Sequence, residues 1–307
     1  MGLPVLILGE SGTGKSASLR NFSSEDLIVI NVAKKPLPFK NKIKNVATDD
    51  YREIIDTLKK NDKKVIVIDD AQYLMANEFM RRAREKGFDK FTEIAQNFWL
   101  LVDMVKSLPQ DQIVYFMAHI ERDQNGNEKV KTIGRLLDEK ITVEGMFTIV
   151  LKTCVADGVY TFLTQNSGHD TVKSPIGMFS SYAIDNDLKY VDEKIRNYYE
   201  IGDHLSDEQM AKEDEKVKNE DITPPERKKR RPRREQEEKT EEQPEETAVE
   251  APKRKRRGSV ESEDLPFNIP NTDLPVPDQE EDEGPTEIEP NTGEIMEAPK
   301  RRRRRDQ

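Results

Sequence analysis

Gly9-Glu10-Ser11-Gly12-Thr13-Gly14-Lys15-Ser16 is the stretch that decides the fold. It meets the spacing G-x-x-x-x-G-K-[ST] at every fixed position, and a short apolar run, Val5–Leu8, leads into it. Phosphate binding needs these residue types in this order. Glycines let the backbone curl until its N–H groups converge on a phosphate-sized nest. A helix starting at the end of the loop turns its positive pole toward the same anion. Lys15 then reaches the β- and γ-phosphates, and the Ser16 hydroxyl ligates Mg2+. All eight residues, Gly9, Glu10, Ser11, Gly12, Thr13, Gly14, Lys15 and Ser16, are candidate contacts to ATP, with Ser16 also a candidate metal ligand.

Working outward, Lys15–Asn21 reads as the helix after the loop and Leu27–Val32 as a second strand. Asp49 and Asp50 are placed to cap a helix running to about Lys60, with Tyr51, Ile54, Ile55 and Leu58 on one face. Val65–Ile68 is a third apolar strand, and it ends in Asp69-Asp70. A carboxylate at the end of such a strand holds the water shell of magnesium opposite the loop serine, so Asp69 is the second candidate metal ligand. Asp70 has two readings: it polarises the attacking water, or it caps the helix that begins at Ala71-Gln72-Tyr73. Helices are expected over about Ala71–Arg84 and Asp89–Ser107, then a strand at Ile113–Ala118. Ligands in parallel sheets bind at the carboxyl ends of strands, and His119 follows that strand directly. It reads either as a γ-phosphate sensor or as a half-buried histidine satisfied by backbone. The candidate catalytic set is Lys15, Asp70 and His119.

Strand and helix alternate to this point, which means an α/β fold with a mainly parallel sheet covered by helices. The pattern then changes. Met146–Val155 and Val159–Thr164 are strands joined through Ala156-Asp157-Gly158, a hairpin signal, so the sheet is expected to finish in antiparallel edge strands. Leu188–Ile201 reads as a closing helix. Arg122, Lys131, Arg135 and Lys140 lie in a polar stretch from which one of them can reach a neighbouring subunit's nucleotide; the other reading is solvated charge. The loop Thr164–Asp170 reads as a cap on the nucleotide, a DNA contact, or an exposed loop.

Composition divides the 307 residues after Leu205. Residues 206–307 hold 22 Lys/Arg, 30 Asp/Glu, 12 of the 17 prolines and a single aromatic, Phe267, so they are expected to be a disordered tail. Residues 1–205 carry 19 of the 20 aromatics and nearly balanced charge, the composition of one ATPase-sized globular domain. One cysteine, Cys154, excludes an intramolecular disulfide, and three histidines leave no zinc spacing. No run approaches 18 apolar residues, and the apolar start lacks a basic segment before it, so a cytoplasmic setting without membrane contact is expected. The tail's basic blocks, Arg227–Arg234, Lys253–Arg257 and Lys300–Arg305, can attract phosphate backbone, while the acidic blocks between them oppose it. Glu263-Asp264-Leu265-Pro266-Phe267 is similar to the acidic-hydrophobic tip of bacterial single-strand-binding proteins.

Over residues 3–185 the chain resembles phage-encoded AAA/RecA-like P-loop ATPases, including the Sak-type single-strand annealing recombinase ATPases. The resemblance is carried by Gly9–Ser16, Val65–Asp70 with Ala71-Gln72-Tyr73, Ala118-His119, Lys131–Arg135, and the section from Glu144–Thr148 to Thr164-Gln165-Asn166. It implies a RecA-like core, ATP with Mg2+, hydrolysis, a homo-oligomer, single-stranded DNA as partner in recombination or replication, and a host bacterial cytoplasm. The chain departs from RecA-type proteins at the end of the second strand, where Asn31-Val32-Ala33-Lys34-Lys35-Pro36 holds no catalytic acid. Either Asp70 takes that role or hydrolysis is weak. Two alternatives stand beside the DNA-stimulated ATPase: a nucleotide-gated binding module whose tail recruits a single-strand-binding or replication protein, and a helicase or helicase-loader motor.

Overall fold

The computed structural model describes residues 1–218. In chain order its elements are β1 (Leu3–Gly9), β2 (Leu27–Asn31), β3 (Lys44–Val46), α1 (Tyr51–Lys60), β4 (Val65–Asp69), α2 (Gln72–Arg81), α3 (Asp89–Met104), β5 (Ile113–Arg122), β6 (Glu128–Val130), β7 (Ile149–Ala156), β8 (Val159–Leu163), β9 (Ala183–Asp185), α4 (Leu188–Tyr199) and α5 (Asp207–Val217). The strands form one sheet in the order β3-β2-β4-β5-β1-β7-β8-β9, with β6 paired to β5 off that path. The central pairings from β3 to β7 are parallel, while β8, β9 and β6 add antiparallel edges.

Side chains alternate along each strand, so the apolar runs feed two cores. Leu6, Leu8, Ile28, Ile30, Ile66, Ile68, Val114 and Phe116 face α1, α2 and α3 on one side. Val5, Ile7, Leu27, Val29, Val65, Val67, Tyr115 and Met117 face Leu19, α4 and α5 on the other. That double covering is why β1, β2 and β4 read as unbroken apolar runs. The Asp50 carboxylate accepts the Arg52 and Glu53 N–H groups and starts α1, as expected. Helix α4 is fixed to the strand starts by Arg196. Its guanidinium donates to Asp192 Oδ2 at 2.6 Å and to the carbonyls of Asp111 and Lys64 at 2.9 and 3.1 Å.

Three expectations change. The helix expected at Lys15–Asn21 is a 3-10 turn over Ser16–Asn21, ended by Phe22, which turns extended and buries its ring. Strand β5 runs past Ala118 to Arg122, because its far end forms a hairpin with β6; the Asp123 carboxylate closes the turn by accepting the Asn125 and Asn127 N–H groups. The division after Leu205 falls short of the folded unit. Ser206 caps α5 in a capping box, Met210 is buried, and Asp214 accepts from Tyr190 and pairs with Lys194 on α4. The rest of the expected tail, including its basic blocks and Phe267, lies outside the described residues.

The register sets the site. Gly9 pairs with His119 and Asn31 pairs with Asp69, so the ends of β1, β5, β2 and β4 meet at one edge of the sheet. The strand between β1 and β4 is β5, and it delivers His119 between the phosphate-loop motif and the Asp69-Asp70 pair.

Candidate functional site

The loop Gly9–Ser16 leaves β1 and is braced from β7. Thr13 Oγ1 lies 2.6 Å from Thr153 Oγ1 and donates to the Glu10 carbonyl, while Thr153 also bonds the Leu8 carbonyl. A Cβ on Gly9 would stand 2.0 Å from Thr153 Oγ1, so only glycine permits this close passage. Gly14 is left-handed, with φ +99°, and a Cβ there would meet the Tyr160 ring at 2.9 Å and the Asn186 amide just beyond. The Glu10 side chain turns to Arg122, 2.9 Å away.

Lys15 is buried, and its ammonium donates to the carbonyls of Gly9 and Glu10 at 2.9 and 2.8 Å. Burial lowers its pKa from 10.5 to about 8, although the carboxylates of Asp70 and Asp69 pull the other way. Ser16 Oγ donates to both oxygens of Asp69, at 3.0 and 2.8 Å. Burial pushes the Asp69 carboxyl up, with the Ser16 hydrogen bond opposing. A hydroxyl and a buried carboxylate side by side make a hard-oxygen pair, which suits a small divalent cation bound mainly through phosphates. Among the described residues no group of three or more His, Cys, Asp or Glu forms a metal cage, and a magnesium ion carried by a nucleotide does not need one.

The Asp70 side chain does not cap the helix that follows it, α2. Asp70 itself is a left-handed non-glycine residue, φ 59°, a local backbone cost of the kind that collects at functional sites. That conformation turns its carboxylate into the cleft, where Oδ1 lies 3.2 Å from His119 Nε2 and Oδ2 lies 3.5 Å from Lys35 Nζ. Burial alone would raise its pKa; the His119 hydrogen bond, Lys35 and Lys15 outweigh that and hold it below the usual carboxylate value. His119 is steadied in turn, its backbone N–H donating to Gln72 Oε1 and its ring edge-on to Tyr73 at 6.2 Å.

These groups open on one cleft of about 530 Å³, lined by Ser11, Gly12, Gly14, Lys15, Ser16, Asp69, Asp70 and His119, a volume in the usual range for a small-molecule site. Asn31, Lys35 and Tyr160 also face it and were not singled out from the sequence as site residues. The available signal for Lys35 was its place just past a strand end in a parallel sheet. Of the four basic residues considered for reach between subunits, Arg122 is engaged within the chain by Glu10 and Glu128. Lys131 lines a neighbouring cleft with His119, Gln72 and Tyr73, and Arg135 and Lys140 are exposed. The Thr164–Asp170 loop folds on Asp170 and against β6, where the Glu128 N–H donates to the His169 carbonyl.

Among the described residues no helix is long and apolar enough to cross a membrane. A family model described as an AAA domain matches residues 1–174. No curated protein matches the chain.

Proposed function

This chain belongs to the AAA domain family, and from that premise we propose that it hydrolyses ATP with Mg2+ and couples the reaction to single-stranded DNA in phage recombination or replication, as a homo-oligomer of the RecA-like annealing type. The observation that carries the hydrolysis reading is the row Ser16, Asp69, Asp70, His119, brought together by strand register at the mouth of the phosphate loop.

Each residue has a separable task. The loop and the Lys15 ammonium take the phosphates, and Lys15 exchanges the Gly9 and Glu10 carbonyls for phosphate oxygens as ATP enters. Ser16 and Asp69 would hold Mg2+, which when bound neutralises phosphate charge. Asp70, held ionised by its cationic neighbours, accepts a proton from the attacking water. His119, hydrogen-bonded to Asp70, orients that carboxylate and lines the same cleft as Lys15 and Ser16. At the end of β2 Asn31 stands where a catalytic acid would, bonded to the Lys35 backbone, so the base role falls to Asp70.

The DNA part of the proposal is supported by the sequence resemblance and by the tail's basic blocks. ATP turnover by the full chain, with and without single-stranded DNA, tests both parts. Stimulated turnover is the expected result. Tight ATP binding without turnover would instead favour a nucleotide-gated binding module, and strand displacement a helicase-type motor.

A further inference from the structure

We propose that Lys35 is a catalytic cation supplied in cis: its ammonium contacts the γ-phosphate of ATP and stabilises the charge that develops on it during hydrolysis. The proposal rests on the reading of the cleft as an ATP hydrolysis site, and it adds a residue to that site.

The segment after β2 is built to aim this side chain. Asn31, almost fully buried at the strand end, grips residue 35 by its peptide. Its Oδ1 accepts the Lys35 N–H at 3.2 Å, and its Nδ2 donates to the Lys35 carbonyl. Lys34 is left-handed, φ 57°, and this sends two successive lysines to different partners. Lys34 Nζ goes to Asp49, 3.0 Å away. Lys35 Nζ goes to Asp70 Oδ2 and lies 5.3 Å from the centre of the Tyr73 ring. Pro36 follows at once and limits the freedom of the chain beyond it.

The Asn31 bonds hold the backbone whatever side chain stands at 35, and a half-exposed ion pair at 3.5 Å contributes little to stability, so the fold itself does not require a lysine here. Its position supplies a reason for one. Lys35 lines the same cleft as Lys15, Ser16, Asp69 and His119. In the reaction the water oxygen forms a bond to the γ-phosphorus. The bond from that phosphorus to the β–γ bridging oxygen breaks, and its electron pair stays on ADP. The water proton passes to Asp70 and then to solvent, giving ADP, phosphate and a proton. Negative charge spreads over the γ-phosphoryl oxygens on the way, and a positioned cation there acts in the transition state. Lys35, already beside the carboxylate that takes the proton, is that cation. Arg122 does not line this cleft and pairs with Glu10 and Glu128 instead.

The test compares full-length wild type, Lys35→Ala, Lys35→Arg and Lys34→Ala in steady-state ATP hydrolysis with Mg2+, alongside binding of ATP and of ADP with aluminium fluoride. For Lys35→Ala, kcat is expected to fall about 10²–10³-fold, the usual effect of removing one transition-state donor. KM should move by no more than about threefold, because the contact strengthens in the transition state. The same variant should lose the extra affinity that aluminium fluoride gives ADP, Lys35→Arg should recover part of the rate, and Lys34→Ala should behave as wild type. A Lys35→Ala enzyme as fast as wild type, faster than wild type, or impaired through KM alone overturns the proposal and leaves the ATPase reading standing. A wild type that neither binds nor hydrolyses ATP removes that reading, and the proposal with it.

Discussion

Replacing Lys15 by methionine separates what the phosphate loop does for binding from what it does to stability, and the two effects have opposite signs. In the folded chain the Lys15 ammonium is buried against two carbonyls, with its pKa lowered from 10.5 to about 8. Below pH 8 both the folded and the unfolded chain carry the proton. Between about 8 and 10.5 the unfolded chain binds more protons, so stability rises with pH across that window. At neutral pH the charge therefore opposes folding, by an amount of order 3 kcal/mol at about 1.4 kcal/mol for each tenfold change in proton affinity. Methionine keeps the aliphatic stem and loses two hydrogen bonds, each of about 0.5–1.5 kcal/mol, so the expected net gain is about 1–2 kcal/mol. For a domain of this size that raises the melting temperature by roughly 2–8 °C. ATP binding moves the other way, since losing a charge-assisted contact of about 1.5–3 kcal/mol weakens affinity about ten- to a hundredfold. Thermal melts from pH 7 to 10.5 and titration calorimetry with Mg·ATP read both effects. The reasoning is refuted if the variant melts below wild type at pH 7, if its advantage does not shrink as pH rises past 8, or if its ATP affinity is unchanged.

Gly14→Ala forces a Cβ to within 2.9 Å of the Tyr160 ring at a left-handed position, so ATP affinity should fall at least about tenfold in the same calorimetric titration. Met210→Ala should lower stability in urea melts by about 2 kcal/mol, because α5 is part of the domain; an unchanged midpoint would detach that helix from the fold. Asp49 is partly buried, which raises its pKa, but Lys34, Arg81 and Asn77 together bring it to about 2. Its stabilisation is present above the ordinary carboxylate value near 3.8 and is lost as pH falls through about 2. Asp49→Asn should therefore destabilise at pH 7 by about 1 kcal/mol and converge on wild type in acid melts.

What the sequence revealed, and what it hid, follows from the length and burial of each element. Strands β1, β2 and β4 are covered on both faces and announce themselves as apolar runs, and the Asp157-Gly158 turn, with both residues left-handed, marks the β7–β8 hairpin. Strands β3, β6 and β9 are three residues each, too short for any period, and β3 is largely exposed. Helix α5 was hidden in a charged segment because a single residue, Met210, carries its burial. At the site, spacing singles out Lys15, Ser16 and Asp69, which the fold brings to one cleft, while the direction of the Asp70 carboxylate, toward His119, depends on a left-handed backbone that no spacing records. Lys35 carries only the weak signal of a position just past a strand end, for a related reason. The aim of its side chain depends on a left-handed Lys34 and on the Asn31 amide, and no local pattern records either.

The most direct test of hydrolysis at this site is phosphate release from Mg·ATP by the full chain, measured against Asp70→Asn. The account predicts that the variant binds ATP within about threefold of wild type and loses about 10²–10⁴-fold in turnover, the range for removing a positioned general base. An Asp70→Asn protein that hydrolyses ATP at the wild-type rate would contradict it.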